Sequence, residues 1–492
     1  MNVNPITRLD YPDPDVIRVE DTYYMVSTTM HFMPGCEILQ SFDLVHWEHA
    51  TYVYETLDHT DAQQLKSGQN IYGQGMWAAS LRYHEGRFCI CFVANDTRKT
   101  YLYTSEKIDG PWKKQLIEGF YHDGSLLFDE DGRNYIVYGN DEIWITELNE
   151  DLTAPKKDGL HRLLVSDHKN PELGYEGSHI QKINGYYYIF LIHSLRDRWM
   201  RTEACFYSDS LEGEFTGGDV LCDDRGYCGQ GVAQGGIVDT PDGKWYAMLF
   251  QDSGAVGRIP ILLPVTWKDH FPFFGQNGHV PEEIEVHSTR PGYIYQPLVG
   301  SDDFCNGLLP RWQFNHDPDP RYYHLDALQG TYTITTREVC TELTQAVNTL
   351  TQRMSYPSCA AEVTVDASAL KEGDVAGLCA LQSCYAAVGI TKHHGKYEVL
   401  MLDKKEDGIL DMTEGTVVES HQMDFRLEAD FCNMKDEARC YYRVNKGDWL
   451  PIGTVHKLYF KLDHFTGCRF GLFCYAAEET GGSACFRDFK YY

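Results

Sequence analysis

Three acidic residues, Asp13, Asp123 and Glu176, occupy the same place in a hairpin pattern that recurs along the chain. Each lies nine residues before a turn position, and two further copies of the pattern carry Trp77 and Gln234 there. Cleavage of a glycosidic bond uses one protonated carboxyl group as acid and one ionised carboxylate as base or nucleophile. A third carboxylate nearby can raise the pKa of the acid and orient it. The three acids therefore supply the parts of an acid–base site.

A structural role is the alternative for these acids. A single acidic residue at such a place commonly caps a strand or contacts a turn. Three acids at one register are harder to explain in that way, because like charges in a narrow channel cost stability unless a ligand or ion uses them. We therefore interpret the three residues as a candidate catalytic set.

The repeated hairpins are the elements that must position this set. Each copy has the pattern of a strand, a tight turn and a second strand, and the turns fall at Thr22, Gly86, Gly132, Gly185 and Gly243. A unit of a few strands that recurs roughly every fifty residues is typical of a radial β-repeat. Since the first strand of each propeller blade lines the central axis, equivalent positions of the five blades face one another. The sequence predicts a five-bladed β-propeller over residues 1–300.

The pattern changes beyond residue 300. Turn-forming residues surround this point, and the following segments alternate apolar and polar residues, as in 331–335, 361–365, 397–401 and 425–429. Such alternation, interrupted by turns, is typical of a β-sandwich. We therefore predict an all-β chain with a β-sandwich domain over residues 301–492.

Composition limits the partners and the compartment. The formal net charge of −29 argues against nucleic acid or an anionic membrane surface as a partner. The amino terminus has neither a basic nor an apolar stretch, so we expect no signal peptide and a cytoplasmic location. The sixteen cysteines are scattered, which favours free buried thiols in a reducing compartment over a disulfide framework.

Several short motifs together resemble glycoside hydrolase family 43. They are Asn4-Pro5-Ile6, Tyr11-Pro12-Asp13-Pro14, Trp77-Ala78, Asp123-Gly124-Ser125, Glu176-Gly177-Ser178-His179 and Gly257-Arg258. The resemblance implies a five-bladed propeller, often followed by a β-sandwich, that acts with inversion on plant polysaccharides containing arabinose and xylose. It also implies that Asp13 is the general base, Glu176 the general acid, and Asp123 the residue that raises the pKa of the acid and orients it.

The same resemblance suggests residues that bind the sugar. Trp77 and Phe32 are similar to the aromatic residues on which the family stacks its substrate, although ordinary packing within a blade is the alternative for both. Arg258 is similar to the arginine that binds a substrate hydroxyl near the carboxylates, with a surface arginine as its alternative. A flat ring offers an apolar face to the C–H groups of a sugar, and a small pocket needs few such walls.

Gln234 departs from the family. Many members have a histidine at this position, where it helps to hold a central hydrated calcium or another ion. An amide oxygen can still ligate or accept from a hydrated hard cation, so a structural calcium at Gln234 is an expectation, whereas the chemistry itself requires no cofactor. Asp15 also departs from the family pattern, and we assign it no role at this point.

These features favour an exo-acting enzyme that removes terminal arabinofuranose, xylose or both from arabinoxylan-derived oligosaccharides. An endo-arabinanase is the alternative among enzymes, and it would need an open groove. A non-catalytic carbohydrate-binding propeller is the alternative from another class, but binding alone would not require three like charges. An interaction scaffold would expose large apolar stretches, which the sequence does not show. Sugar and linkage preference, oligomeric state and any ion stay open.

Overall fold

The computed structural model describes residues 2–413 and 415–492. Within them the regular secondary structure is almost entirely strand, with no α-helix and only four 3₁₀ turns, at Lys66–Gly68, Gly254–Val256, Leu343–Gln345 and Cys432–Met434. No helix among the described residues has the length and apolar character needed to cross a membrane. The prediction of an all-β fold, a propeller followed by a sandwich, is confirmed.

Five four-stranded antiparallel sheets form the blades of the propeller. After strand β1 (Asn2–Val3), blade one contains β2 (Asp15–Val19), β3 (Thr22–Ser27), β5 (Gly35–Ser41) and β6 (Glu48–Tyr54), with the short β4 (Phe32–Met33) between β3 and β5. Blade two contains β7 (Met76–His84), β8 (Arg87–Ala94), β9 (Lys99–Ser105) and β10 (Lys113–Ile117). Blade three contains β11 (Ser125–Phe128), β12 (Asn134–Asn140), β13 (Glu142–Leu148) and β14 (His161–Ser166).

The remaining two blades follow the same order. Blade four contains β15 (Glu176–Ile183), β16 (Tyr186–Ser194), β17 (Arg201–Ser208) and β18 (Thr216–Leu221). Blade five contains β19 (Val232–Asp239), β20 (Trp245–Asp252), β21 (Arg258–Lys268) and β22 (Phe271–Phe274). The five predicted hairpins are the first two strands of the five blades. In blade four the turn has positive φ at both Asn184 and Gly185, as the Asn-Gly pair predicts.

Apolar layers between neighbouring blades close the ring. Separate buried clusters join blades one and two, two and three, three and four, and four and five. A fifth cluster joins blade five to blade one, with Val16 on one side and Met248 and Leu262 on the other. Strand β1 pairs with β23 (Glu283–Ile284), which follows blade five and adds hydrogen bonds to the same closure. The inner strands are therefore held around one axis.

The second domain packs two sheets against each other. Its strands are β24 (Gln313–Asn315), β25 (Tyr323–Asp326), β26 (Thr331–Thr335), β27 (Leu350–Arg353), β28 (Ser358–Asp366), β29 (Val375–Leu381), β30 (Ala386–His393), β31 (Lys396–Lys404), β32 (Leu410–Met412), β33 (Thr416–Val418), β34 (Gln422–Asp430), β35 (Glu437–Val444), β36 (Leu450–Lys457), β37 (Arg469–Tyr475) and β38 (Ser483–Tyr491). One sheet has seven strands, in the order β25-β26-β38-β28-β34-β35-β36. The other has nine, and one of them is β4 of the propeller.

The segment between the domains runs along blade one. Gln296 N donates to Glu48 Oε2 over 2.8 Å. Asp302 is the first residue after this segment that forms a β-bridge with a strand of the sandwich, to Phe489. The predicted boundary near residue 300 falls between these two contacts.

The two domains share a buried interface. Strand β4 pairs with β24, and the ion pair between Glu37 and Arg353 is buried there, with 2.9 Å between Oε2 and Nη1. A group of aromatic rings also joins the domains, in which Tyr72 of the propeller stacks on His464 of the sandwich with 3.9 Å between ring centroids. The sandwich is therefore fixed to the face of the propeller that carries β4.

Candidate functional site

The three acids lie where the inner strands begin, at irregular points of the backbone. Asp13 and Asp123 lie two residues before the inner strands of blades one and three, and both have left-handed φ values, 53° and 48°. Glu176 opens β15, where a bulge interrupts the pairing with β16 before His179. Left-handed non-glycine residues and bulges cost stability, and both are common at functional sites. The strained positions therefore coincide with the predicted catalytic set.

Asp13 is held by two donors. Arg258 Nη1 donates to Asp13 Oδ1 over 2.8 Å, and Thr28 Oγ1 donates to Oδ2 over 2.6 Å. Asp13 and Arg258 are both buried. The ion pair fixes the orientation of the carboxylate, and Arg258 lies beside the acids as predicted instead of on the surface.

Asp123 and Glu176 meet around a histidine that the sequence reasoning missed. His122 Nε2 lies 3.6 Å from Asp123 Oδ2 and 3.5 Å from Glu176 Oε2. Asp123 Oδ2 also accepts from Gly177 N over 3.0 Å, and Glu176 Oε2 accepts from Asn140 Nδ2 over 2.7 Å. The structure thus brings two of the predicted acids together with one imidazole between them.

Burial and neighbouring charges shift the pKa values of Asp123 and His122. Burial raises the pKa of Asp123 to about 6, with Glu176 and Asp13 adding to the rise and His122 opposing it. The nearby Asp123 carboxylate raises the pKa of His122 to about 9, and Glu176 and Asp13 contribute in the same direction. The imidazole is therefore a cation at neutral pH, and the acid cluster retains a proton further into the neutral range than isolated carboxyl groups do.

Aromatic rings close one side of the site. The ring of Trp77 lies between His122 and Phe465, with centroid distances of 5.8 and 5.6 Å. Phe465 comes from the sandwich domain, and its centroid lies 4.3 Å from the guanidinium carbon of Arg258. Trp77 is therefore in the site as predicted, and the second domain contributes a wall to it.

Phe32 is packed at the interface between the two domains. It is buried in an apolar cluster made mostly of sandwich residues, and the guanidinium carbon of Arg469 lies 3.4 Å from its ring centroid. Its strand, β4, is part of the nine-stranded sheet of the sandwich. Because its ring is packed into the domain interface, its surroundings argue against the predicted sugar-stacking role.

Gln234 is buried beside Gly177, at the start of strand β15. Its backbone N–H donates to Glu203 Oε2 over 2.7 Å, and its side chain packs against Gly177. Both carboxylate oxygens of Asp15 on the inner strand of blade one already have partners, since Oδ2 accepts from Leu81 N and Arg82 Nη1 and Oδ1 pairs with His179. Because the Arg82 cation is already paired with this carboxylate, the described residues beside Gln234 do not offer the available carboxylate oxygens that calcium prefers.

The network around Asp15 is a second feature that the sequence did not indicate. Arg82 reaches from blade two to Asp15 of blade one and to Ser125 Oγ of blade three, both over 2.7 Å. His179 of blade four faces the same carboxylate over 3.2 Å. Burial alone would raise the pKa of Asp15, but Arg82 and His179 outweigh it and lower that pKa. Asp15 therefore ties the inner strands together beneath the site.

The arrangement can carry acid–base chemistry on a bound sugar. Asp13 is oriented by Arg258, whereas Glu176 lies next to His122 and accepts a hydrogen bond from Asn140. An inverting cleavage needs a base that activates water and an acid that protonates the leaving oxygen. The geometry supplies one candidate for each task.

Comparisons with known proteins agree with this arrangement. The profile of glycosyl hydrolases family 43 matches residues 3–272, more than half of the chain. The profile of the beta xylosidase C-terminal concanavalin A-like domain matches residues 301–492.

Individual proteins show the same likeness over most of the chain. A beta-xylosidase of Formosa agariphila is 26% identical, with 98% of this chain and 88% of that protein covered. A non-reducing end alpha-L-arabinofuranosidase of Bacteroides ovatus is 24% identical, with 83% and 79% covered. The solved structure of a bifunctional GH43-CE protein of Bacteroides eggerthii is 42% identical, with a TM-score of 0.93. It covers all of this chain, which spans 63% of that longer protein. The chain therefore belongs to glycosyl hydrolases family 43 and is a glycoside hydrolase.

Proposed function

We propose that the protein is an inverting exo-glycosidase that releases terminal arabinofuranose, xylose or both from arabinoxylan-derived oligosaccharides. The observation that carries this proposal is the contact between Phe465 of the sandwich and the Asp13–Arg258 pair of the propeller. A wall contributed by a second domain closes the sugar site on the side of the base. A closed end accepts the terminus of a chain, whereas an endo-acting enzyme needs a groove open at both ends.

In the proposed mechanism each acid has a separate task. Asp13, held by Arg258 and Thr28, accepts a proton from the attacking water. Glu176 donates its proton to the glycosidic oxygen, and Asp123 and His122 beside it set the charge that Glu176 experiences. Trp77 and Phe465 exclude water and offer apolar surface to the sugar. Since the attack comes from the face opposite the leaving group, the released sugar has inverted configuration.

The names of related proteins support the choice of sugar. The relatives that cover most of the chain are named for beta-xylosidase and alpha-L-arabinofuranosidase activity. Another, from Humicola insolens, is named xylosidase/arabinosidase and is 25% identical over 99% of this chain. We therefore propose pentose-containing oligosaccharides as substrates and leave the ranking of the two sugars to experiment.

Product analysis separates this proposal from its alternatives. The purified protein is incubated with an arabinoxylan oligosaccharide, a linear xylo-oligosaccharide and linear arabinan, and the early products are resolved by chromatography. Exo action predicts that a free pentose is the first product. Shorter oligosaccharides from arabinan at early times would indicate an endo-arabinanase. Binding without hydrolysis by folded protein would indicate a carbohydrate-binding propeller.

A reducing compartment is also part of the proposal. All sixteen cysteines lie within the described residues and are free thiols, eleven of them buried. Free thiols in this number fit the cytoplasm better than an oxidising environment. Fractionation of the source cells with an antibody to the protein tests this point, and recovery outside the cell would contradict it.

A further inference from the structure

The exposure of the acids shows on which side the leaving group lies. The side chains of Asp13 and Asp123 are each 7% exposed, whereas that of Glu176 is 22% exposed. The general acid contacts the glycosidic oxygen, so the departing sugar lies beyond Glu176. The open side of the site is therefore the side of blade four, and the leaving group is expected there.

A compact loop of blade four extends above Glu176 on the same side. Glu176 pairs with Ile192 in β16, and Ser194 and Arg201 form the last pair between β16 and β17. The intervening loop, residues 195–200, thus begins beyond the level of Glu176. It is held by hydrogen bonds from Met200 N to Ser194 Oγ over 2.8 Å and from Leu195 N to Met200 O over 3.1 Å.

The lateral distance suits a second sugar. Strand β17 is separated from β15 by one strand, and neighbouring strands lie about 4.8 Å apart. A side chain at the start of β17 is therefore displaced by roughly 10 Å from Glu176 across the sheet. This is the region that the first sugar of the leaving group would occupy.

Trp199 and Arg201 occupy this place. Trp199 is 45% exposed, a large apolar surface for one residue. The guanidinium carbon of Arg201 lies 5.3 Å from its ring centroid and 5.4 Å from that of Phe250, so Arg201 lies between the exposed ring and the interior. Arg258 contacts the same Phe250 ring at 5.3 Å. Arg201 also forms an ion pair with Asp252, which holds it in place.

We propose that Trp199 and Arg201 form the binding site for the leaving-group sugar. The indole ring offers an apolar face to the C–H groups of a pentose, and the guanidinium group of Arg201 behind the ring, paired with Asp252, holds the ring in place by a cation–π contact. The ligand class is therefore the second pentose unit of a xylo- or arabinoxylan oligosaccharide. This inference rests on the proposed function, because a leaving-group site has meaning only for a glycosidase.

The test compares two kinds of substrate that share the sugar to be released. One is an oligosaccharide, which places a sugar on Trp199, and the other is the pentosyl fluoride of the same sugar and anomer, whose leaving group is a small ion. The measured quantity is the ratio of kcat/KM for the oligosaccharide to kcat/KM for the fluoride. We expect Trp199→Ala to lower this ratio about tenfold, in line with the loss of one aromatic contact. Trp199→Phe should lower it less.

A matched control is available at the other end of the propeller. Tyr83 is 44% exposed and lies near the β7–β8 turn at Gly86, away from the starts of the inner strands. Tyr83→Ala should leave the ratio at the wild-type value. A ratio in Trp199→Ala equal to that of the wild type would overturn the inference, whether both kcat/KM values are unchanged or both fall by the same factor. Failure of the wild type on both substrates would instead refute the proposed function, so the two failures are distinct.

Discussion

Arg258 Nη1 and Asp13 Oδ1 form a buried ion pair with a separation of 2.8 Å. The arginine opens β21 of blade five, and the aspartate precedes β2 of blade one, so the pair spans the junction at which the ring of blades closes. Arg258 is fixed in turn by its backbone N–H, which donates to Asp10 Oδ1 over 2.8 Å. The position of the proposed base therefore depends on closure of the propeller.

Replacing the proposed base tests its role directly. Asp13→Asn keeps the shape of the side chain and an oxygen that accepts from Arg258, but an amide does not take a proton from water. We expect kcat on an oligosaccharide to fall at least about 100-fold, the range of general base catalysis. Thermal unfolding should show a folded protein. A variant with activity near that of the wild type would contradict the assignment.

The charge of His122 should appear in the pH dependence of the reaction. His122 opposes the rise in the pKa of Asp123, so its removal makes the proton of the acid cluster harder to lose. We expect the alkaline limb of the profile of kcat/KM against pH to move up by about one unit in His122→Asn, since a cation at this distance shifts a carboxyl group by 1–3 units. If kcat/KM of His122→Asn is lower at every pH but both limbs of its pH profile stay where they are in the wild type, His122 has only a structural role.

The wall contributed by the sandwich should matter for binding. Phe465→Ala removes the ring that contacts Arg258 and Trp77. We expect kcat/KM to fall about tenfold or more, because the sugar loses a wall and the site admits water. Leu462→Ala, in the same segment but 73% exposed, is the matched control and should behave as wild type. Equal kinetics for the two variants would show that the sandwich does not take part in the site.

Local sequence patterns indicated the propeller because each hairpin depends on neighbouring residues. The Asn184-Gly185 turn and the strands around it need no distant partner to be recognised. The equivalent positions of the three acids were predicted from the same repeat, because equivalent residues of the blades in a closed ring face one axis. Three residues of the site, Asp13, Asp123 and Glu176, could thus be predicted from the sequence alone.

The missed residues depend on features that no local pattern shows. His122 would point away from Asp123 in a regular strand, where side chains alternate, but the left-handed φ of Asp123 turns both towards Glu176. Phe465 reaches the site only through the packing of a different domain. The same packing buries Phe32, whose sequence neighbourhood gave no sign of the sandwich that covers it.

Buried histidines at the domain interface should make the fold sensitive to acid. Burial lowers the pKa of His464 to about 3, and burial also keeps the pKa values of His31 and His316 well below their usual range. An unfolded histidine titrates near 6.5, so below that pH the unfolded chain binds protons that the folded chain does not, and stability falls as the pH falls. At pH 5 this effect amounts to about 2 kcal/mol for His464.

Denaturant unfolding at pH 8 and pH 5 checks this prediction. His464→Phe keeps a ring to stack on Tyr72 but cannot be protonated, so the variant should lose about 2 kcal/mol less than the wild type between the two pH values. Identical losses in both proteins would contradict it.

The stereochemistry of the first product tests the central claim most directly. Wild type and Glu176→Ala are incubated with nitrophenyl α-L-arabinofuranoside and nitrophenyl β-xyloside, and the anomer released first is identified by NMR. Because nitrophenolate needs little help from an acid, the variant is also tested on an arabinoxylan oligosaccharide. We predict release of at least one pentose by the wild type, with inverted configuration, and loss of oligosaccharide cleavage in Glu176→Ala. A product of retained configuration, or no release by folded wild-type protein, would contradict the account.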